Sequence, residues 1–141
     1  MRRLLWFLVS IVVAVSFLGS AASASIIVRV HVASQTMHVA IDGVHVHTWP
    51  VSTAGRGAVT PRGTFRPQWL SPHHRSRKYR WAPMPNAVFY SGNYAIHGTR
   101  DEHLIGSPAS RGCVRLTVAN SRTLFELVRS RMQETTIIIE G

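Results

Sequence analysis

The chain has 141 residues, which suffice for one domain and are too few for two of ordinary size. Hydrophobic residues make up 45 % of the sequence, a share that excludes a wholly disordered chain. Its 16 Lys and Arg outnumber 6 Asp and Glu, and its single cysteine excludes an internal disulfide framework and a cysteine-rich zinc site.

The N-terminus has the pattern of a secretory signal peptide. After two arginines, residues 4–18 carry no charge, and Ala22 and Ala24 give the A-x-A spacing that a signal peptidase cleaves. We expect cleavage after Ala24, because the apolar run before the small residues is too short to span a bilayer. The alternative is an uncleaved membrane anchor. The predicted organisation is a signal peptide, 1–24, and one domain, 25–141, exported to the periplasm or cell envelope.

The exported part begins with alternating sequences that are typical of half-buried strands. Residues 26–32 alternate between apolar and polar side chains, and so do residues 37–41 and 44–49. The last two runs flank Asp42 and Gly43, a pair typical of two-residue hairpin turns because both positions need a positive φ. These runs therefore predict a strand followed by a hairpin.

The register of this hairpin decides which of its side chains face the core. A two-residue turn predicts two core-facing pairs, Ile41 with Val44 and Val39 with Val46. On the opposite, outer side it predicts a group of three histidines, in which His38 faces His47 beside His45. Such a group can bind a transition metal or change its charge near pH 6. Because no carboxylate or thiol belongs to it, we expect a solvent-facing polar surface and no metal site.

The rest of the chain predicts a fold class that is mainly β with one or two short helices. The elements expected in order are turns and short strands at 50–68, a basic loop at 70–85, a hairpin of 87–90 with 94–97, a helix from Thr117 to about Met132, and a strand at 135–140. The basic loop carries cations and aromatic residues that suit nucleic acid. Export argues against that partner, so we expect a solvated loop or a lid over an anionic glycan-peptide.

The only cysteine lies in a polar, cationic stretch. Cys113 has Arg111 and Arg115 two positions away on either side, and their charges favour the thiolate, which is the nucleophilic form. Buried inert cysteines usually have apolar neighbours, so we expect a reactive thiol. A thiol nucleophile needs a basic partner, and His97 at the end of an apolar strand is the candidate. The amides of Gly112 and Cys113 are candidate donors to an oxyanion.

Four stretches around these residues form an ordered pattern. They are Thr60-Pro61-Arg62-Gly63-Thr64-Phe65, His97-Gly98-Thr99, Ile105-Gly106-Ser107-Pro108 and Ser110-Arg111-Gly112-Cys113-Val114-Arg115-Leu116. Together they resemble the catalytic signature of the L,D-transpeptidase (YkuD-type) family, and the resemblance covers nearly all of 26–141. It implies a β-sandwich-like catalytic fold that acts on peptidoglycan stem peptides.

The resemblance also implies a role for each site residue. Cys113 would be the nucleophile, His97 its base, and the Gly98 carbonyl would orient the imidazole, while the Gly112 and Cys113 amides would form the oxyanion hole. Four further residues would bind substrate: Ser110, Thr99, Arg111 and Arg115. Position 111 is commonly His in this family, and because a guanidinium does not deprotonate in water, His97 would be the only base. No cofactor and no metal are implied.

The implied function is that of an exported cysteine L,D-transpeptidase. It would release D-Ala from tetrapeptide stems through a thioester and then form 3→3 cross-links or attach another amine acceptor. One alternative uses water as the acceptor, which gives an L,D-carboxypeptidase or hydrolase with the same site. Another is a catalytically silent wall-binding protein. The expected partners are peptidoglycan stem peptides and the anionic cell envelope, with no nucleic acid, and the expected state is a monomer.

Overall fold

The computed structural model describes residues 25–141, and the predicted signal peptide, 1–24, lies outside the described residues. Within them, two β-sheets and one α-helix enclose a hydrophobic core. The elements are β1 Ile26–His31, β2 Thr36–Ile41, β3 Val44–Pro50, β4 Gly63–Phe65, β5 Trp69–Ser76, β6 Ala82–Ser91, β7 Tyr94–Thr99, β8 Val114–Thr117, α1 Val118–Ser130 and β9 Thr135–Glu140. Short 3-10 turns lie at Glu102–Leu104 and Met132–Glu134.

The two sheets differ in their number and order of strands. The first has the order β3-β2-β1-β9-β4, and the second has the order β5-β6-β7-β8. The pairs β1–β9 and β7–β8 are parallel, and the other paired strands are antiparallel. In β1 and β9 every second side chain is buried, as a sheet with one face on the core requires. The predicted fold class, mainly β with a minor helical part, is confirmed.

The helix closes the core against the second sheet. The Thr117 hydroxyl accepts the Asn120 amide at 3.1 Å, so Thr117 is the N-cap that the sequence predicts. Leu124, Phe125 and Val128 of this helix are buried. Within residues 25–141 no helix is long and apolar enough to cross a membrane.

The first hairpin forms at the predicted turn but with a different register. Asp42 and Gly43 have φ of 51° and 81°, as expected. A β-bulge then shifts the pairing so that Val39 lies opposite His47 rather than Val46. Val46 is consequently 40 % exposed, and the prediction that the valines of β3 face the core is wrong.

The bulge has a clear physical consequence further along β3. It places Trp49 opposite Met37, and both side chains are buried in the core. Without the shift, Met37 would face Thr48 and the indole would point outward. Burial of this large aromatic side chain stabilises the fold.

The same shift separates the histidines that were expected together. His38 lies 3.4 Å from His45 between Nδ1 and Nε2, and its ring centroid is 5.3 Å from that of His31. His47 instead stacks on Trp49 at 4.5 Å, so the prediction that His38 faces His47 is wrong. Across residues 25–141, no three side chains of the His, Cys, Asp and Glu types are arranged to hold a metal ion.

The prediction of a basic loop at 70–85 is also wrong, because this segment forms a long hairpin. β5 pairs with β6 from Trp69 opposite Phe89 to Ser76 opposite Ala82. Trp69 stacks on Phe89 with ring centroids 3.9 Å apart, and such cross-strand aromatic pairs stabilise sheets. The cations of the hairpin tip, Arg77 to Arg80, are thereby held on an ordered element.

Candidate active site

His97 and Cys113 lie on one face of the second sheet, where β7 and β8 run parallel. His97 is paired with Arg115, and Cys113 precedes Arg115 by two residues. Cys113 directly precedes β8, and its thiol lines the same cavity as the side chains of His97 and Arg115 on the two adjacent strands. The parallel pairing thus brings together two residues that are 16 positions apart in the sequence.

A cavity of about 870 Å³ covers this face, and both His97 and Cys113 line it. Its rim comes from the tip of the β5–β6 hairpin and from the loops after β6 and β7. Among the residues that line it, the basic side chains are Arg75, Arg77, Lys78, Arg100, Arg111 and Arg115. Asp101 is the only acidic side chain among those same lining residues. The cavity is therefore suited to an anionic ligand.

The imidazole of His97 is neutral and has a fixed tautomer. Its Nδ1–H donates a hydrogen bond of 2.7 Å to the Gly98 carbonyl, which can only accept, so Nε2 carries the free lone pair. The pKa of His97 is lowered to about 4, chiefly by burial; electrostatic repulsion from Arg115 and His74 acts in the same direction, and the bond to Gly98 opposes it. At neutral pH His97 is therefore in its unprotonated, base form.

Gly98 is required for this arrangement by the packing of α1 behind it. A Cβ at this position would lie 2.5 Å from Ser121 Oγ and 3.1 Å from Val118 Cα. A larger residue would push the start of α1 away from β7. Gly98 thus serves the site both through its carbonyl and through the absence of a side chain.

The thiol of Cys113 is half-buried and lies 3.8 Å from the Asn93 carbonyl oxygen. Burial raises the pKa of Cys113, and the Ala95 amide and the Arg115 charge only partly offset that effect. The sequence-based expectation that the flanking arginines keep this group as a thiolate is therefore wrong. Cys113 is a neutral thiol in the same cavity as a neutral imidazole.

The loop before β8 holds Cys113 through side-chain hydrogen bonds. Ser110 Oγ donates to the Cys113 carbonyl at 2.6 Å and accepts the Gly112 amide at 3.1 Å. Gly112 has φ of 135°, and a Cβ there would lie 2.5 Å from the Tyr94 ring, so only glycine fits. The Gly112 amide, predicted to face an oxyanion, is engaged with Ser110 in this structure.

The other predicted substrate-binding residues lie in different places. Thr99 and Arg115 line the cavity, and Thr99 Oγ1 accepts the Asp101 amide at 3.1 Å. Ser110 is buried and does not line this cavity. Arg111 lines it, and its guanidinium lies 4.8 Å from the centroid of the Tyr79 ring. This cation–π contact joins the tip of the β5–β6 hairpin to the Cys113 loop.

A second cavity of about 700 Å³ lies on the other side of that contact. It is lined by the turn at 55–59 and by 108–111, and its only charged lining residues are Arg56 and Arg111. Tyr79, Tyr94 and Arg111 line both cavities and form the wall between them. The Cys113 loop can thus be approached from two sides.

Several residues of the cavity were not singled out from the sequence. Tyr79 and His74 fell within the predicted loop, Asn93 fell at the turn of the second predicted hairpin, and Tyr94 began its second strand. The clustering of cations and aromatic residues at 73–81 was the available signal; it was interpreted as a solvated loop or a lid over an anionic glycan-peptide, without naming the residues that line the site. Thr60, inside one of the ordered stretches, was also not assigned a role.

Comparison with known proteins agrees with this geometry. A family model described as the YkuD L,D-transpeptidase catalytic domain matches residues 25–139. No curated protein matches the chain with significant similarity.

Solved structures with the same fold come from several bacteria. An L,D-transpeptidase from Mycobacterium smegmatis superposes with a TM-score of 0.75 at 22% identity, over 84% of this chain and 59% of that one. One from Xylanimonas cellulosilytica gives 0.69 at 25% identity, over 84% and 62%. L,D-transpeptidase 3 from Mycobacterium tuberculosis, in complex with a faropenem-derived adduct, gives 0.73 at 15% identity, over 84% and 61%. The chain spans about three fifths of the length of these proteins.

Proposed function

The chain belongs to the L,D-transpeptidase catalytic domain family, whose model matches residues 25–139, and on this premise we propose that it is an exported cysteine acyltransferase acting on peptidoglycan stem peptides. The observation that carries the proposal is a neutral imidazole with its Nε2 unprotonated in the same cavity as the only thiol of the chain. Export rests on the signal-peptide pattern of 1–24.

The first half of the proposed reaction is acylation of Cys113. Its sulfur attacks the carbonyl carbon between the third stem residue and the terminal D-Ala while Nε2 of His97 takes the thiol proton. The tetrahedral intermediate collapses as His97 returns that proton to the leaving amine. D-Ala departs, and a thioester to Cys113 remains. Because the resting pKa of the thiol is raised, proton transfer to His97 must accompany the attack.

The second half transfers the acyl group to an acceptor amine. The amine attacks the thioester carbonyl and gives its proton to His97, and the thiolate leaves and is reprotonated. If water resolves the thioester instead, the protein is an L,D-carboxypeptidase.

The charges of the site support a peptide substrate with free carboxylates. A tetrapeptide stem ends in the D-Ala carboxylate, and the cavity offers Arg100, Arg111 and Arg115 around the thiol and imidazole. Arginine binds carboxylates in a bidentate geometry that positions them as well as neutralising them. The basic hairpin tip would contact the remaining anionic part of the substrate.

The experiment is incubation of the protein, expressed from the full chain, with defined disaccharide-tetrapeptides. We expect D-Ala release by the wild type, none by Cys113→Ala, and wild-type release by Ser130→Ala, an exposed control at the end of α1. Mass spectrometry of the products separates the outcomes. A dimer of stems shows transfer, and a shortened monomer shows hydrolysis.

Covalent labelling gives a second, independent readout. Since a relative is solved with a faropenem-derived adduct, we expect faropenem to add once to this protein and only when Cys113 is present. Absence of both D-Ala release and the adduct in the folded wild type would refute the proposed function and favour a silent wall-binding protein.

A further inference from the structure

Thr60 is a buried side chain directly behind the loop that carries Cys113. Its hydroxyl donates a hydrogen bond of 2.9 Å to the Gly112 carbonyl oxygen, 52 positions away in the sequence. The hydroxyl oxygen of Thr60 in turn accepts a hydrogen bond of 2.9 Å from the Ala54 amide. Both hydrogen-bonding roles of the hydroxyl are therefore used, and its direction toward Gly112 is fixed. Thr60 lines neither cavity, so it does not contact a ligand bound in them.

The bond to the Gly112 carbonyl controls the direction of a neighbouring N–H group. The peptide between Gly112 and Cys113 is planar and trans, so its C=O and N–H point in opposite directions. With the carbonyl held toward Thr60, the Cys113 N–H is turned to the other side. The amide that precedes it, that of Gly112, is occupied by Ser110 Oγ at 3.1 Å. The orientation of the Cys113 amide thus depends on the hydroxyl of Thr60.

Glycine at position 112 makes an external constraint necessary. Gly112 has φ of 135°, which other residues rarely adopt, and it has no Cβ to limit rotation of the following peptide. Ser110 fixes the two ends of the loop through the Gly112 amide and the Cys113 carbonyl. Only the bond from Thr60 acts on the peptide that lies between these two points.

We propose that Thr60 is a positioning residue, which orients the Cys113 amide toward the oxyanion formed when the sulfur adds to a carbonyl. This inference rests on the proposed function, since it assumes acyl transfer at Cys113. As the bond from sulfur to carbon forms, the carbonyl oxygen gains negative charge, and a donor that is already aimed at it lowers the barrier. Loss of the Thr60 hydroxyl leaves the donor present but free to rotate away.

The test compares two reactions of the same thiol. p-Nitrophenyl acetate acylates a thiol through a tetrahedral oxyanion, whereas iodoacetamide alkylates it by direct displacement without one. Thr60→Val removes the hydroxyl at nearly constant shape, and Thr60→Ser keeps it. Thr64→Val makes the same change at an exposed position of β4 and serves as the control. All rates are measured on the full chain, with Cys113→Ala as the blank.

We expect Thr60→Val to slow acylation by about 10- to 100-fold, at or below the loss typical of deleting one oxyanion donor. Its alkylation rate should stay within about twofold of wild type. Thr60→Ser should restore acylation, and Thr64→Val should match wild type in both reactions. An unchanged ratio of acylation to alkylation in Thr60→Val, or a parallel fall of both rates, would overturn the proposal.

Two further observations distinguish failure of the proposal for Thr60 from misfolding of the variant and from failure of the proposed function. If Thr60→Val does not fold, a structure of the wild-type acyl-enzyme decides: we expect the thioester oxygen about 3 Å from the Cys113 amide nitrogen, and an oxygen directed elsewhere contradicts the proposal. Failure of the wild type both to release D-Ala and to react with faropenem refutes the proposed function alone, because the ester and iodoacetamide need no peptidoglycan-binding site.

Discussion

Acidification should destabilise this protein through the buried imidazole of His97. The pKa of this group falls from its ordinary value of 6.5 to about 4 on folding, chiefly because of burial. Between these values the unfolded chain binds a proton that the folded chain does not, so a falling pH favours unfolding. The contribution of neutral His97 to the free energy of unfolding is fully present above pH 6.5 and is lost as the pH falls toward 4. From pH 7 to pH 5 it amounts to about 2 kcal/mol.

The assay is urea unfolding at several pH values for the wild type and two variants. His97→Asn retains an amide N–H for the Gly98 carbonyl but does not titrate. Its free energy of unfolding should therefore fall by about 2 kcal/mol less than that of the wild type between pH 7 and pH 5. His103→Asn makes the same change at an exposed position and should follow the wild type. Equal pH dependence in wild type and His97→Asn would refute the argument that His97 is buried and neutral.

Three other sets of substitutions test the packing that supports the site. Gly98→Ala places a methyl group 2.5 Å from Ser121 Oγ and should lower the free energy of unfolding in urea by about 1–3 kcal/mol. The effect of Gly98→Ala should be smaller when it is made in a Ser121→Ala background. Arg111→Ala and Tyr79→Leu should show a coupling energy of about 0.5–1 kcal/mol in a double-mutant cycle by thermal unfolding, because their contact lies at the surface. Additive effects would exclude the cation–π contact. Thr117→Ala should cost about 1 kcal/mol by loss of the N-cap while Thr117→Ser costs little, and equal losses would contradict the capping role.

Local chemistry predicted much of the fold. Asp42 and Gly43 determine the first turn because both adopt a positive φ, and Thr117 begins α1 because its hydroxyl accepts an amide of the first turn. Alternation of side chains predicted β1, and the β-branched residues of 135–140 predicted β9. These signals depend on residues close together in the sequence, so they can be interpreted without knowledge of the rest of the chain.

The errors in the fold came from pairing between distant residues. The hairpin of β5 and β6 looked like a loop, because its strands are rich in polar and cationic residues and its stability comes from cross-strand pairing such as Trp69 on Phe89. The β-bulge after Val39 is not signalled by the turn. It forms because it lets Trp49 reach the core, and the position of the core is a property of the whole fold.

For the site, the sequence by itself determined which groups can react. It contains one thiol, and the stretches around Cys113 and His97 identify their types and order. Only the tertiary structure decided the protonation states of these groups. Burial raises the pKa of Cys113 and lowers that of His97, which reverses the expectation drawn from neighbouring charges. Desolvation and long-range hydrogen bonds such as that from Thr60 to Gly112 depend on what surrounds a group in space, and the order of residues along the chain does not specify that surrounding directly.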